Sequence, residues 1–470
     1  MTETNATVLE DIGTPPSRLE RILGIFASVR AREGITSLLL LCNIFLILMA
    51  YYFIKPVREG WLSVSIIGDL SKLEIKSYSA FGQSMLLLLI LPLYAWLAAT
   101  FPRRKLITMT AGASAILLVL FWLLQPGLLA RQIPYSGIAF YMFVGIFSVT
   151  LVAQFWSFAS DVYGQEKGRR LFPLVAIGAS AGGVVGSWAG ERLLLLRWLD
   201  AFDLILLALI PLALAVWLSR FIDQRGTVGQ PSSDTESRRH QPAAPEGHGA
   251  FKTIYESYYL MIAAGMILLF NWVVASGDNI LFGLVQAALE LEQVNISDPD
   301  AVAKAINVAT TAFYSELYFW VNLVGLFLQA FVVSRLVRLG GFGLLLIATP
   351  LVSLAAYLSM AIAPVIGIIK VMKVAENSSN YSINNTARHM LWLPTSKSMM
   401  YQAKATIDTL FVRIGDGMAA LTVLLGTRVW SFSLTDFLLV NIILSLLWIV
   451  LSTILIREYN QRSKVIVQPA

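Results

Sequence analysis

The sequence predicts an all-α integral membrane protein of twelve transmembrane helices, arranged as two six-helix pseudo-repeats. Three observations predict it: an apolar composition, the number and length of the apolar runs, and the distribution of basic residues between them. Of 470 residues, 57% are hydrophobic and 14% charged, against roughly 25% charged in ordinary soluble proteins. A crossing helix takes about 20 apolar residues, so about twelve use up nearly the whole hydrophobic fraction. This composition excludes a soluble enzyme, a disordered chain and a receptor with a single anchor. The 12 Trp, 16 Tyr and 32 Gly suit a membrane interface rich in aromatics and helices that approach through small residues.

The first six predicted spans lie near 35–54, 79–101, 106–124, 137–160, 171–190 and 203–222. The second six lie near 258–276, 316–334, 341–361, 364–388, 406–427 and 434–456. The chain therefore divides into a tail 1–34, a half 35–222, a linker 223–252, a half 253–456 and a tail 457–470. The linker is rich in Gly, Pro, Ser and charge, the composition of a flexible connection. No cleavable apolar segment precedes span 1, and Glu3, Glu10 and Asp11 are unlike an acid-poor transit peptide. Residues Arg18 to Arg32 read either as a basic amphipathic helix on the membrane surface or as a positive-inside anchor. Asp298-Pro299 with acids after it reads as the cap of a helix continuing into span 8.

Short cytoplasmic loops retain Lys and Arg. The tails and the segments after spans 2, 4, 6, 8 and 10 carry more than twice as many basic residues as the opposite segments; Arg103, Arg104, Lys167, Arg169, Arg335 and Arg338 are examples. Both termini are thereby expected in the cytoplasm, which requires an even number of spans. The net charge of +6 follows from this topology, and no nucleic-acid partner is expected.

Tyr78-Ser79 opens span 2 and Tyr314-Ser315 precedes span 8, about half the chain apart, each leading into a long apolar stretch that ends in arginines. With the central linker, this fits two parallel six-helix halves, the major facilitator type of architecture. In that type spans 1, 4, 7 and 10 line the central cavity, and the polar residues collect there. Span 1 ends in Lys55-Pro56-Val57-Arg58-Glu59, span 4 carries Gln154, Ser157 and Asp161 on one face, and span 7 carries Asn271 and ends in Asp278-Asn279. In span 10, Lys370, Lys373, Asn377, Asn380, Asn384 and Arg388 recur at steps of three and four beside Glu376, one continuous helical face. Such a face is costly against lipid, so it is expected to line a water-filled pathway.

Several pairs keep two readings. Lys55 and Glu59 are either an interfacial i,i+4 pair or part of the cavity. Arg413 and Asp416 in span 11 are a structural pair or a substrate contact. Taken together, the charges either bind an anion when part of the network opens or act as gates, and buried carboxylates can also carry protons. The small-residue run Gly178 to Gly190 in span 5 reads as close helix packing ahead of a phosphate-cradling loop. Cys42 is the single cysteine, and His240, His248 and His389 are scattered, so no metal site or cofactor is expected. Walker-type and hydrolase spacings are absent from the sequence, and Asn295-Ile296-Ser297 is a common glycosylation pattern of little weight.

Two segments carry a family resemblance. Gln154-Phe155-Trp156-Ser157-Phe158-Ala159, followed by Glu166-Lys167-Gly168-Arg169-Arg170-Leu171-Phe172-Pro173-Leu174 and Gly178-Ala179, is the first. Tyr381-Ser382, Arg388-His389-Met390-Leu391-Trp392-Leu393-Pro394, Lys404-Ala405-Thr406-Ile407-Asp408 and Arg413-Ile414-Gly415 form the second. Both resemble the ATP/ADP translocase, or nucleotide transporter, family of plastids and intracellular bacteria. The resemblance implies nucleotide import or exchange by alternating access, with basic residues on the phosphates. It places the family's span 1 lysine at Arg58, its loop glutamate at Glu166 and the lysine of its K-E-M segment at Arg388. It also places a family lysine at Asp416, reversing the sign, and the span 7 glutamate near Val274, where Asp278 is the closest acid.

The expectation is a secondary active transporter, without enzymatic activity, in a bacterial inner membrane. Its substrate is expected to be a small polar, anionic molecule, nucleotide-like by resemblance. Arg58, Lys55, Gln154, Asn271, Lys370, Lys373, Asn377, Asn380, Arg388 and Arg413 are the expected substrate contacts. Glu59, Asp161, Glu166, Asp278, Glu376 and Asp416 are expected to gate or to carry a coupling proton. The rival readings are a proton-coupled transporter of another metabolite or a natural product such as a siderophore, and a membrane scaffold or sensor that keeps the fold. The oligomeric state is left open.

Overall fold

The structure is a computed structural model. It describes residues 17–24, 28–30, 33–129, 133–196, 199–226, 248–292 and 298–467. Among them the regular structure is helical and contains no strand. The helices are α1 (Arg18–Leu23), α2 (Gly34–Val64), α3 (Lys72–Thr100), α4 (Arg103–Leu123), α5 (Ser136–Leu195), α6 (Asp203–Leu207), α7 (Leu209–Gly226) and α8 (His248–Glu256). They continue as α9 (Tyr258–Glu292), α10 (Pro299–Phe327), α11 (Val333–Ile362), α12 (Ile366–Ser379), α13 (Asn385–Met390), α14 (Lys397–Thr406), α15 (Val412–Arg428) and α16 (Leu434–Val467). π-helical turns at Leu328–Val332, Asn380–Asn384 and Ile407–Phe411 join α10 to α11, α12 to α13 and α14 to α15.

Ten described segments are long and apolar enough to cross a membrane. One of them, Pro299–Ile362, is 64 residues long and breaks at Gly341, whose φ of 58° only glycine adopts without strain. The polar α12–α13 helix is not among the ten. The long segment covers predicted spans 8 and 9, and the polar helix falls on predicted span 10.

Several boundaries differ from the sequence expectation. Helix α2 runs through Pro56 to Val64, ten residues beyond the end predicted for span 1. Helix α3 begins at Lys72, where Ser71 and Glu74 form a capping box: Ser71 N donates to Glu74 Oε2 at 2.8 Å, and Glu74 N donates to Ser71 Oγ at 3.3 Å. Spans 4 and 5 are the two apolar segments Ser136–Tyr163 and Arg170–Leu195, with the residues between them also helical. The N-terminal amphipathic helix shrinks to the six residues of α1; the rest of that expectation falls on irregular residues 28–30 and on residues outside those described. Residues 227–247 of the linker and the Asn295-Ile296-Ser297 pattern also lie outside the described residues. At Asp298 the expected cap forms, its side chain accepting from Asp300 N at 3.1 Å with Pro299 in the first turn.

The chain forms two compact units. The first comprises Met1–Val57, Leu91–Ile133 and Val144–Pro231. Within it Gly178, Gly182 and Gly186 of α5 lie on the backbone carbonyls of Leu41, Phe45 and Met49 of α2. One glycine meets one carbonyl at each step of four, so the glycine run packs helices instead of cradling phosphate. Asn43 Nδ2 donates to Ala215 O at 2.7 Å and to Ser219 Oγ at 2.9 Å, tying α2 to α7. Arg170 Nη2 donates to Glu33 Oε1 at 2.8 Å and its Nη1 to Ser28 O at 2.6 Å, fastening the segment before α2 to the middle of α5.

The second unit comprises Arg58–Ile90, Pro134–Phe143 and Ser232–Ala470. Here α9 packs on α15 and α16, α11 on α12 and α16, and α10 on α12. The end of α2 belongs to this unit: Gly60 sits against Asn307 and Thr311 of α10, where a side chain would collide. Ser79 Oγ donates to Ile75 O at 2.6 Å and Ser315 Oγ to Thr311 O at 2.8 Å. The repeated Tyr-Ser pair thus has the same i−4 back-bond in α3 and α10.

Candidate functional site

The second unit concentrates its buried charge in two groups. In the first, Glu59 of α2 is fully buried; its Oε2 accepts from Lys76 Nζ of α3 at 2.6 Å and its Oε1 from Arg58 Nε at 2.9 Å. The ring of Tyr141 lies 4.5 Å from the Arg58 guanidinium and 4.5 Å from the Lys76 ammonium, and Lys76 also donates to the Tyr141 hydroxyl at 3.1 Å. Two cations thus converge on one carboxylate and one aromatic face, an arrangement stabilised by charge-assisted hydrogen bonds and cation–π attraction.

In the second group Lys373 Nζ of α12 lies 2.5 Å from Glu376 Oε2 and 3.2 Å from Asp278 Oδ1 of α9. Tyr357 of α11 donates its hydroxyl to Glu376 Oε1 at 2.5 Å. Gly277 makes the approach possible, since a methyl group there would collide with Tyr357 Oη and press on Lys373 Nζ. The Lys373 and Glu376 side chains are each 1% exposed, while that of Asp278 is 49% exposed.

Tyr314 of α10 feels charges of both groups. It is 3% exposed, its hydroxyl has no hydrogen-bond partner, and it lies in the electrostatic field of Glu59, Asp278, Tyr141 and Arg58. Tyr318, one turn along, lies in the field of Glu59, Arg58 and Asp278.

The remaining expected residues take other partners. Lys370 pairs with Glu316 at 2.5 Å and lies over the Phe313 ring. Arg388 and Lys404 share Asp408 at 3.1 and 2.7 Å. Arg413 and Asp416 pair at 2.9 Å, and Ser84 of α3 joins them, donating to Asp416 at 2.5 Å and accepting from Arg413 at 3.0 Å. Asn384 donates to Asn380 at 2.9 Å across the π-helical turn, the kind of helix irregularity found often at functional sites. Asn271 turns onto its own helix, donating to Ile267 O at 2.7 Å. Asn377 is buried. Lys373, Glu376, Asn377, Asn380 and Asn384 of the span 10 face are buried in this structure.

At one edge of this unit Arg428 donates to Glu74 at 2.6 Å and to Asp69 at 2.7 Å, clamping α15 to the start of α3. The Arg428 hydrogen bond holds the Asp69 carboxyl below its usual range.

In the first unit, Lys55 lies 5.1 Å from the Tyr52 ring centroid and 5.6 Å from that of Tyr51. Gln154 accepts from Thr110 Oγ1 at 2.8 Å and, with Asn43 and Ser219, lines a cavity of about 30 Å³. This Gln154 environment is internal to helices α2, α4, α5 and α7. Asp161 is half-buried on α5, and the Glu166 side chain lies outside the described residues. Burial pushes the Glu33 carboxyl up, but the Arg170 hydrogen bond, the Arg30 backbone N–H and the Arg170 and Lys167 charges bring it below its ordinary value.

Lys76 and Glu316 were missed from the sequence. Both had a signal: the Ser71-x-x-Glu74 capping box moves the start of span 2 ahead of Lys76, and Glu316 is an acid inside a predicted span.

An all-α, multi-pass membrane protein is the class that this fold defines. No protein-family model matches the chain. ADP,ATP carrier protein 1 of Chlamydia trachomatis is 20% identical over 304 residues, 57% of this chain and 54% of the relative. The protein of the same name from Chlamydia muridarum is 20% identical over 326 residues, 62% and 58%. The chain thus spans little more than half the length of these curated relatives. A solved structure of the nucleoside transporter NupG covers 90% of this chain and 99% of its own, with TM-score 0.57 and 13% identity. A POT family transporter in complex with 5-aminolevulinic acid covers 91% and 96%, with TM-score 0.59 and 14% identity. At these identities the structures show the fold, and the relatives and neighbours named here are transporters, not enzymes.

Proposed function

We propose that the protein is a secondary active transporter that moves a small polar solute bearing an anionic group by alternating access. The observation that carries this reading is the pair of buried ion groups around Tyr314, which join α2, α3, α9, α10 and α12. Buried ion pairs are poor sources of net stability compared with apolar packing, and intramembrane charge normally marks a pathway. Arg58, Lys76, Lys370, Lys373 and Arg388 supply positive field, and Asn377 and Asn380 supply hydrogen bonds. Asp278, half-exposed beside a buried lysine, is assigned to gating. The Arg428–Glu74–Asp69 clamp and the Arg413–Asp416–Ser84 cluster are gates that break and re-form between states.

The membrane is a bacterial inner membrane and both termini face the cytoplasm, a reading supported by the basic-residue bias. The relatives' names make nucleotides the first solutes to test. The sign reversal at Asp416, and the pairing of each cation of the two buried groups with a carboxylate, favour a solute of lower charge than a polyphosphate.

Reconstitution into proteoliposomes tests the reading. Solute uptake driven by an ion or exchange gradient, lost in Lys373→Gln and Arg58→Gln, is expected. Folded protein that moves no solute under any gradient would leave the scaffold reading standing instead.

A further inference from the structure

We propose that the solute is a zwitterion, an amine-bearing carboxylate of the size of an amino acid or short peptide, bound between the Arg58–Glu59–Lys76 and Asp278–Lys373–Glu376 groups with the Tyr314 hydroxyl on its polar middle. This rests on the transporter reading and names its substrate class. The least buried members of the two groups have opposite sign. In the first, the Arg58 side chain is 11% exposed against 5% for Lys76 and 0% for Glu59. In the second, Asp278 is the half-exposed member beside two closed ones. A carboxylate arriving at Arg58 and an ammonium arriving at Asp278 each meet the least buried charge of that group, of the opposite sign.

Tyr314 sits in the field of both Arg58 and Asp278. Its buried hydroxyl lacks a protein partner, a condition that is costly in an apolar interior and that a ligand amide or carboxylate oxygen would relieve. Charge balance gives the same result. The two groups hold three bases, Arg58, Lys76 and Lys373, and three acids, Glu59, Asp278 and Glu376. A solute with net charge would unbalance a desolvated site, and a zwitterion would leave it neutral.

The test uses the purified full-length protein with alanyl-alanine, its N-acetyl derivative, which keeps only the carboxylate, its amide, which keeps only the ammonium, and ADP. Alanyl-alanine is expected to raise the melting temperature saturably, and each blocked derivative to bind about tenfold or more weakly. Asp278→Asn should bring alanyl-alanine close to the level of its N-acetyl derivative. Tyr314→Phe should weaken alanyl-alanine about tenfold while leaving the ligand-free melting temperature unchanged or higher, because it removes an unsatisfied group. ADP or the N-acetyl derivative binding as tightly as alanyl-alanine, and being moved in proteoliposomes when the zwitterion is not, would overturn the zwitterion and leave the transporter reading intact. No movement of any probe would overturn both.

Discussion

Lys373 and Glu376 face each other at 2.5 Å one turn apart on α12, both closed to solvent, with Asp278 of α9 as the lysine's second carboxylate at 3.2 Å. One ammonium therefore compensates two acids, and Tyr357 fixes the orientation of the inner one. Removing Lys373 leaves both acids without it. Lys373→Met is expected to destabilise the protein by about 3–5 kcal/mol. The double variant Lys373→Met, Glu376→Leu is expected to recover most of that loss without recovering transport. Denaturation in detergent and uptake in proteoliposomes measure the two effects separately; a double variant no more stable than the single one would contradict the pairing.

Gly277 is the position where this arrangement depends on a missing side chain. Gly277→Ala drives a methyl group into Tyr357 and Lys373, so an overpacking cost of about 1–3 kcal/mol is expected. Solute binding should fall with it. Gly112 of α4 is the control, since a methyl there meets nothing within 4 Å. Gly112→Ala should be neutral or should stabilise by up to about 1 kcal/mol through helix propensity.

The glycine face of α5 makes a separate prediction. Gly182→Leu pushes a side chain into the Phe45 carbonyl of α2 and should lower the melting temperature with a cost of about 1–3 kcal/mol or more. A phosphate-cradling role would instead leave stability intact and change only anion binding.

Glu33 supplies the pH dependence. Its carboxyl is held below its ordinary value of 4.5 in the folded protein, so its stabilisation is fully present above that value and is lost as pH falls through the lowered one. The melting temperature of the wild type should exceed that of Glu33→Gln at neutral pH, and the difference should shrink on acidification below pH 4.5. A difference that stayed constant through the acid range would show that Arg170 does not hold the ionised form.

Much of the fold is legible because hydrophobic length, basic-residue placement and the small-residue run are properties of composition along one helix. Gly178, Gly182 and Gly186 announce close packing by spacing alone. The site is less legible because partners come from different helices. The span 10 stripe identifies Lys373, Glu376 and Asn380 as one face, yet nothing local says that Tyr357 of α11 donates to Glu376 or that Asp278 of α9 is the second carboxylate on Lys373. Arg58 and Glu59 are visible at the end of span 1, but their partner Lys76 is hidden by a polar helix start that reads as a loop. Helix α2 runs through Pro56 to Val64, beyond the apolar run that marks span 1 in the sequence. Tyr314 is legible as a repeat marker, and only its burial without a partner gives it a chemical role.

Counterflow is the measurement that tests the transporter claim most directly. Proteoliposomes loaded with unlabelled ADP or alanyl-alanine are diluted into the matching labelled solute, with no other energy source. The account predicts transient accumulation of label for at least one of the two solutes, abolished in the Lys373→Met, Glu376→Leu variant that retains its fold. Equal, leak-level entry of both solutes into liposomes holding folded wild-type protein and the variant would contradict it.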